Sequence, residues 1–236
     1  MSVLNTSWKK TNILNPSTFC MELQALNPTL VRIIDGLTGG SDVTVIERGS
    51  HRLLRISWLN ILNNPLYFEA LSKVIASEME FRGYSPEAVA SVETSGAKYG
   101  LALSLATGLP YFSIHKTRKL IFTEPLTVEG YSATESKEVS LYLDRSVASR
   151  FRRVVLVDDI RRSSTTINSA VRLLQACGVD VEACFTILDL GFTGSERPSA
   201  VSEDRYHPLI VISSVAPDGR CDVSGGLILK YVGGHV

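Results

Sequence analysis

The sequence VVLVDDIRRSSTT, residues 154–166, changes abruptly from apolar to polar residues. Val154 to Val157 predict a buried strand, since a short continuous apolar run is typical of a strand inside a sheet. Asp158 and Asp159 follow at once, and the hydroxyl residues 163–166 then open a stretch with apolar residues at helical spacing. We therefore predict a strand, a polar loop over 158–166 and a helix that ends near Gly178.

The same order of elements occurs earlier in the chain. EAVASV (87–92) predicts a strand, 93–99 a polar loop, LALSLATG (101–108) a helix, and LPYFSI (109–114) a second strand. Two strand–helix–strand units with short connections predict an α/β fold, a Rossmann-like parallel sheet flanked by helices. The two polar loops leave parallel strands at the same edge, so we expect them to face one cleft.

Composition limits the class of function. The 236 residues carry no net charge, and no apolar run approaches the roughly 18 residues that a membrane helix needs. The four cysteines show no CxxC spacing. These features predict a cytoplasmic protein with reduced thiols, no membrane partner and no nucleic-acid partner.

Residues 158–166, which follow the strand, carry groups that suit a particular ligand. Adjacent carboxylates suit a vicinal diol such as a ribose, and a helix start with hydroxyls suits a phosphate. Together they fit a ribose 5-phosphate, although an ordinary strand end followed by a helix cap explains the same residues. The chain lacks both GxxxxGK[ST] and a GxGxxG after its first strand, so nucleotide hydrolases and dinucleotide folds are not expected.

These motifs resemble those of the type I phosphoribosyltransferases. Residues 154–166 resemble the family's signature for 5-phosphoribosyl 1-pyrophosphate (PRPP), and 92–120 its pyrophosphate loop, helix and basic segment. Residues 126–147 are similar to the mobile arm of the purine enzymes, and LDLGFTG (188–194) to the adenine branch. Two positions depart from the pattern. Ser164 stands where the family usually has glycine, a residue that permits positive φ, and His115 stands where arginine is more usual.

The resemblance implies a set of site residues and a substrate-bound Mg²⁺, with no metal site built from protein groups alone. Asp158 and Asp159 would be catalytic and hold the ribose hydroxyls. The 5-phosphate would be bound by Arg162, Ser163, Ser164, Thr165 and Thr166. The pyrophosphate would be bound by Ser95, Gly96, Ala97, Lys98, His115, Lys116 and Lys119. Tyr131 and Ser132 would belong to a flexible arm at 115–138.

The resemblance also implies an organisation for the whole chain. Residues 1–60 would supply the first strand and part of a hood over the cleft, 61–195 the core with the arm, and 196–236 the C-terminal strands and the rest of the hood. A homodimer is expected. The alternative for Glu93, a site acid or a partner of a nearby lysine, stays open.

The expected activity is transfer of ribose 5-phosphate from PRPP to a purine, adenine first. The alternatives are a 6-oxopurine enzyme, an orotate enzyme, and a transcription regulator that binds PRPP without turnover. Residues 1–50 have little basic charge and no evident winged-helix pattern, which speaks against the regulator.

Overall fold

The computed structural model of the protein describes residues 16–48, 51–132 and 137–232. Within these ranges, no helix is long and apolar enough to cross a membrane. The helices are α1 Pro16–Thr38, α2 Pro65–Phe81, α3 Ser95–Thr107, α4 Arg145–Ala148, α5 Thr165–Ala176 and α6 Leu229–Val232. The strands are β1 Val43–Arg48, β2 His51–Ile56, β3 Ala88–Val92, β4 Tyr111–Ile114, β5 Pro125–Ser132, β6 Lys137–Asp144, β7 Arg153–Arg161, β8 Asp180–Leu190, β9 Tyr206–Val215 and β10 Cys221–Gly225.

Six strands form the central sheet, in the order β10-β9-β8-β7-β3-β4. All neighbouring pairs are parallel except β10 with β9. The two strands predicted to carry the site, β3 and β7, lie side by side, with Val89 opposite Val155. The predicted α/β fold, a mostly parallel sheet flanked by helices, is confirmed.

Two hydrophobic clusters cover the two faces of the sheet. Val155 and Val157 face the cluster that includes α1, α2 and α3, while Val154 and Leu156 face the one formed by α5 and the β5–β6 hairpin. Because successive side chains in a strand point to opposite faces, a strand covered on both sides must be apolar throughout. This is why VVLV reads as an unbroken apolar run.

Both predicted polar loops are shorter than the sequence suggested. Strand β7 continues through Asp158 and Asp159 to Arg161, because its parallel ladder with β8 is not interrupted there. Helix α3 begins at Ser95, so most of the predicted loop 93–99 is its first turn. Gly100 sits where a Cβ would lie 2.8 Å from Ser91, and this close packing explains a glycine inside the helix.

The predicted arm is largely regular. Strands β5 and β6 form an antiparallel hairpin, which extends the structured segment to Asp144, beyond the predicted end at residue 138. A Cβ at Gly130 would lie 2.5 Å from Ser169 Oγ and 3.2 Å from Thr165 Cγ2, so this part of the hairpin rests directly on the start of α5. Residues 133–136 lie outside the described part of the chain.

The segments before residue 61 and after residue 195 differ in how they join the central sheet. The first strand, expected within residues 1–60, is β1, but it pairs with β2 in a separate two-stranded sheet. Helix α2 begins with a side-chain cap: Asn64 Oδ1 accepts from the Leu66 amide, and Pro65 takes the first helical position. Beyond residue 195, β9 and β10 extend the central sheet itself.

The two edges of the central sheet are irregular. Strand β10 shifts register twice against β9, between Asp222 and Val223 and between Val223 and Gly225. Strand β4 has only four residues, and directly beyond it His115 pairs through both backbone groups with Tyr142 of β6.

Candidate active site

Two helices begin at the same edge of the sheet, α3 after β3 and α5 after β7. A Cβ at Gly96, in the first turn of α3, would lie 2.7 Å from Asp158 Oδ1 and 3.3 Å from Asp158 Cα. The backbone of the α3 start therefore lies directly against the acidic end of β7. The two segments are therefore neighbours, and the cleft between them stays a prediction.

Asp158 and Asp159 occupy the centre of this edge. Asp158 is only 5% exposed, and its Oδ1 accepts the Asp159 amide at 3.0 Å. Burial raises the pKa of Asp158 well above its ordinary value, and the charge of Asp159 raises it further. Burial likewise raises the pKa of Asp159, while Lys116 acts to lower the pKa of both carboxyls. Two such carboxylates favour a ligand that brings positive charge or hydroxyl donors.

The predicted phosphate loop lies at the start of α5. Ser163, Ser164, Thr165 and Thr166 are all half-buried there. Ser164 is the N-cap residue, with φ −83° and ψ 0°, so the positive φ that a glycine would permit is not used here. Its hydroxyl makes no capping bond and donates instead to the Glu196 carbonyl.

Arg162 is bonded to the β1–β2 hairpin. Its Nη2 donates to the Leu54 carbonyl of β2 at 3.3 Å, and its own carbonyl accepts from Thr193 Oγ1 at 2.7 Å. The guanidinium thus ties the end of β7 to the β1–β2 hairpin. Its predicted role on the 5-phosphate stays a prediction.

The predicted pyrophosphate residues of α3 fall into two groups with different contacts. Ser95, Gly96 and Ala97 form the helix start beside Asp158, where the side chain of the N-cap residue Thr94 makes no capping bond. Lys98 donates from Nζ to Asn63 Oδ1 at 3.0 Å, in the loop before α2. A helix start without its usual side-chain cap is suited to an anion.

The basic segment after β4 surrounds Glu93. His115 Nδ1 lies 2.7 Å from Glu93 Oε2, without the directional geometry of a hydrogen bond, and Lys119 Nζ lies 3.5 Å from the same oxygen. Lys116 is exposed. The structure therefore shows Glu93 as a partner of nearby basic groups. Tyr131 and Ser132 end β5, and their side chains lie outside the described part of the chain.

A buried ion pair behind the site was not predicted. Arg161, the last residue of β7, pairs with Asp189 of β8, and Tyr206 donates to the same carboxylate at 2.8 Å. The only signal in the sequence was an aspartate inside the apolar run ILDL, which implies a buried partner.

The chain is similar to proteins of known class. The profile of the phosphoribosyl transferase domain matches residues 57–219. An adenine phosphoribosyltransferase of Campylobacter concisus is 30% identical over 146 residues, 61% of this chain and 78% of that protein. A hypoxanthine/guanine phosphoribosyltransferase of Methanothermobacter thermautotrophicus is 30% identical over 129 residues, 54% of this chain and 64% of that protein.

A crystal structure gives the same fold. The adenine phosphoribosyltransferase of Thermoanaerobacter pseudethanolicus superimposes with a TM-score of 0.63, at 21% identity, over 77% of this chain and 99% of that one. At that identity the similarity shows the fold alone.

Proposed function

Because this chain belongs to the phosphoribosyltransferase family, whose domain profile covers residues 57–219, we propose that it transfers ribose 5-phosphate from PRPP to a purine base and releases pyrophosphate. One observation carries the assignment of the site. The start of α3 lies against the Asp158–Asp159 pair at Gly96, and α5 begins shortly after the strand that carries the pair. This arrangement offers two anion sites separated by a diol site, as PRPP requires.

The reaction joins a nitrogen of the base to the anomeric carbon of PRPP. The bond from that carbon to the pyrophosphate oxygen breaks, pyrophosphate leaves with the bonding pair, and the proton on the attacking nitrogen is lost. Positive charge develops on the ribose in an oxocarbenium-like transition state. Asp158 and Asp159 would hold the ribose hydroxyls and stabilise this charge from a buried position, where electrostatic interactions are strong.

The pyrophosphate would lie at the start of α3. The backbone of Ser95, Gly96 and Ala97 offers the helix start, and Lys116 brings positive charge towards the carboxylate pair. In the described ranges no three His, Cys, Asp or Glu side chains cluster as a metal site would need. We propose that Mg²⁺ is held mainly by substrate oxygens and water, as its reluctance to dehydrate favours; bound Mg²⁺ would neutralise charge on the leaving pyrophosphate.

The base is proposed to be adenine. The support is the adenine phosphoribosyltransferase of Campylobacter concisus, which matches this chain over 78% of its own length. A 6-oxopurine is the second candidate, because the hypoxanthine/guanine enzyme of Methanothermobacter thermautotrophicus is equally identical over a shorter stretch. Nothing in the fold favours orotate or a regulator without turnover over these two.

The test is PRPP-dependent release of pyrophosphate, measured with Mg²⁺ against adenine, hypoxanthine, guanine, xanthine and orotate. We expect release with adenine and at least tenfold lower kcat/KM with each other base, since a site that hydrogen-bonds one base leaves polar groups unpaired with another. Release with a 6-oxopurine only would move the assignment to the second candidate. PRPP binding by calorimetry without release for any base would identify a binding protein.

The hairpin and the segment leading to it provide a further prediction. We expect trypsin to cut the exposed basic residues of 115–120 in the free protein and to cut them at least fivefold more slowly with PRPP and Mg²⁺, because Lys116 would then contact the bound anion. Mass spectrometry of the fragments locates the cuts. The internal control is cutting at Arg150 and Arg152, two exposed residues that follow the hairpin in the sequence. Equal protection with and without PRPP would indicate a static arm.

A further inference from the structure

The Arg161–Asp189 pair lies behind the proposed phosphate loop and is almost completely buried. Each residue is 4% exposed. Arg161 Nε donates to Asp189 Oδ2 at 2.8 Å, and Nη2 donates to Oδ1, so the pair is bidentate. Tyr206 also donates to Asp189, and its hydroxyl lies 2.9 Å from Thr186 Oγ1. The guanidinium is therefore fixed in orientation by the neighbouring strand β8.

The third nitrogen of this guanidinium reaches forward. Arg161 Nη1 donates to the carbonyls of Ser195 and Glu196, at 3.2 Å and 3.4 Å. The Glu196 carbonyl is also the acceptor of the Ser164 hydroxyl. The same segment is held once more along α5, where Asn168 Oδ1 accepts the Ala200 amide at 3.0 Å. A single carbonyl thus joins the buried arginine to the N-cap residue of α5.

The consequence is seen in the conformation of Ser164. A serine at the N-cap position ordinarily adopts extended backbone angles and bonds an amide of the first helical turn. Asn64 does this at the start of α2, with ψ 115° and a bond to the Leu66 amide. Ser164 instead has ψ 0° and no capping bond. Its hydroxyl is kept off the amides to which the 5-phosphate would bind.

We propose that Arg161 is a positioning residue for the 5-phosphate. Through the Glu196 carbonyl it draws the Ser164 hydroxyl away from the start of α5 and prevents that hydroxyl from competing with the phosphate as a cap. Arg161 does not touch the substrate. This role rests on the proposed function, because it presumes a 5-phosphate at α5, but it concerns only that end of the substrate.

The test compares two ligands that occupy different ends of the site. Calorimetry with Mg²⁺ measures ribose 5-phosphate, which would engage α5, and pyrophosphate, which would engage α3. The variant is Arg161→Met combined with Asp189→Leu, because removal of a buried pair as a whole avoids an unpaired buried charge. We expect affinity for ribose 5-phosphate to fall at least tenfold and affinity for pyrophosphate to stay within about twofold.

Addition of Ser164→Ala to the double variant provides the discriminating step. It removes the competing cap, so we expect at least a fivefold recovery of ribose 5-phosphate affinity; a role in packing alone predicts no recovery. The control is Arg82→Met with Glu78→Leu, which removes a buried glutamate of α2 and one of its two basic partners, the other being Lys230, and should change neither affinity. Thermal unfolding of each variant verifies folding.

The outcomes separate the two proposals. An unchanged affinity in the double variant, an equal loss for both ligands, or a loss that Ser164→Ala does not reverse would each overturn the role of Arg161 and leave the proposed function standing. A double variant that does not fold also overturns it, since the pair then acts as a structural element. A further outcome is that the wild-type protein fails to bind ribose 5-phosphate, either while it binds pyrophosphate and PRPP or when it binds none of the three. That result would overturn the assignment of α5 together with this role.

Discussion

Asp158→Asn combined with Asp159→Asn is expected to lower turnover about a thousandfold or more and to leave the fold intact. Both carboxylates lie at the end of β7, where the ladder with β8 and the apolar residues before them hold the backbone. Their loss removes the negative charge that would stabilise the developing oxocarbenium character, and effects of two to three orders of magnitude are typical for one such group. The shape of the site should not change.

The same double variant is expected to gain stability at neutral pH. Burial raises the pKa of both carboxyls above the ordinary 3.8. The folded protein therefore keeps protons that the unfolded chain releases, and stability falls as the pH rises from about 4 through the raised values. Amides carry no such cost, so the melting temperature at pH 7 should rise, by roughly 2–4 °C for each kcal/mol recovered.

The measurements are the pyrophosphate-release rate and the melting temperature at pH 4 and pH 7. The control is Asp180→Asn with Asp204→Asn, which changes two exposed carboxylates near the opposite edge of the sheet. It should retain activity and show no gain at pH 7. Turnover within tenfold of the wild type in the double variant of the site would contradict the assignment of the carboxylates.

Gly96→Ala is expected to lower kcat/KM about a hundredfold. The added Cβ would lie 2.7 Å from Asp158 Oδ1, closer than a carbon and an oxygen can remain, so either the carboxylate or the start of α3 must move. Displacements of about 1 Å between groups that position a substrate typically cost two orders of magnitude in rate. The loss should appear in both PRPP binding and turnover, because the glycine joins the two halves of the site.

Gly225→Ala is the matched control. Its Cβ would make only ordinary contacts, 3.8 Å from Val211, and Gly225 lies on β10 at the far edge of the sheet. Steady-state kinetics and calorimetry with PRPP compare the two variants. A Gly96→Ala variant with wild-type kinetics would show that the contact between α3 and Asp158 is not required, and that the two anion sites are assembled in some other way.

The fold could be predicted because its decisive signals are local. A strand covered on both faces needs apolar residues throughout, and VVLV is such a run followed by a helical pattern. The Asn64–Pro65 start of α2 likewise depends on neighbours in sequence. The predicted end of β7 and the predicted start of α3 are wrong because polar residues and glycines there are typical of loops. Pairing with β8 extends β7, and the glycines of α3 allow the helix to pack closely against β3 and β7.

The candidate site was predictable only in part. The motif placed Asp158 and Asp159 at the cleft, and the contact with Gly96 supports that placement. Arg162 bonds to Leu54, which is 108 positions away in the sequence, and Ser164 bonds to Glu196, which is 32 positions away. No local sequence pattern encodes either bond. They depend on how the hairpin and the segment after β8 pack, which propensity and periodicity do not determine.

The irregular edges of the central sheet bear on how copies of the chain can associate. An exposed, regular edge strand can pair with the edge of another molecule, which leads to open-ended aggregation. The two register shifts of β10 and the four-residue length of β4, followed by the His115–Tyr142 bridge, both interrupt the row of backbone groups that such pairing needs. Pairing of strands between the central sheets of two copies is therefore disfavoured at both edges, and we expect any association of copies to use side-chain surfaces.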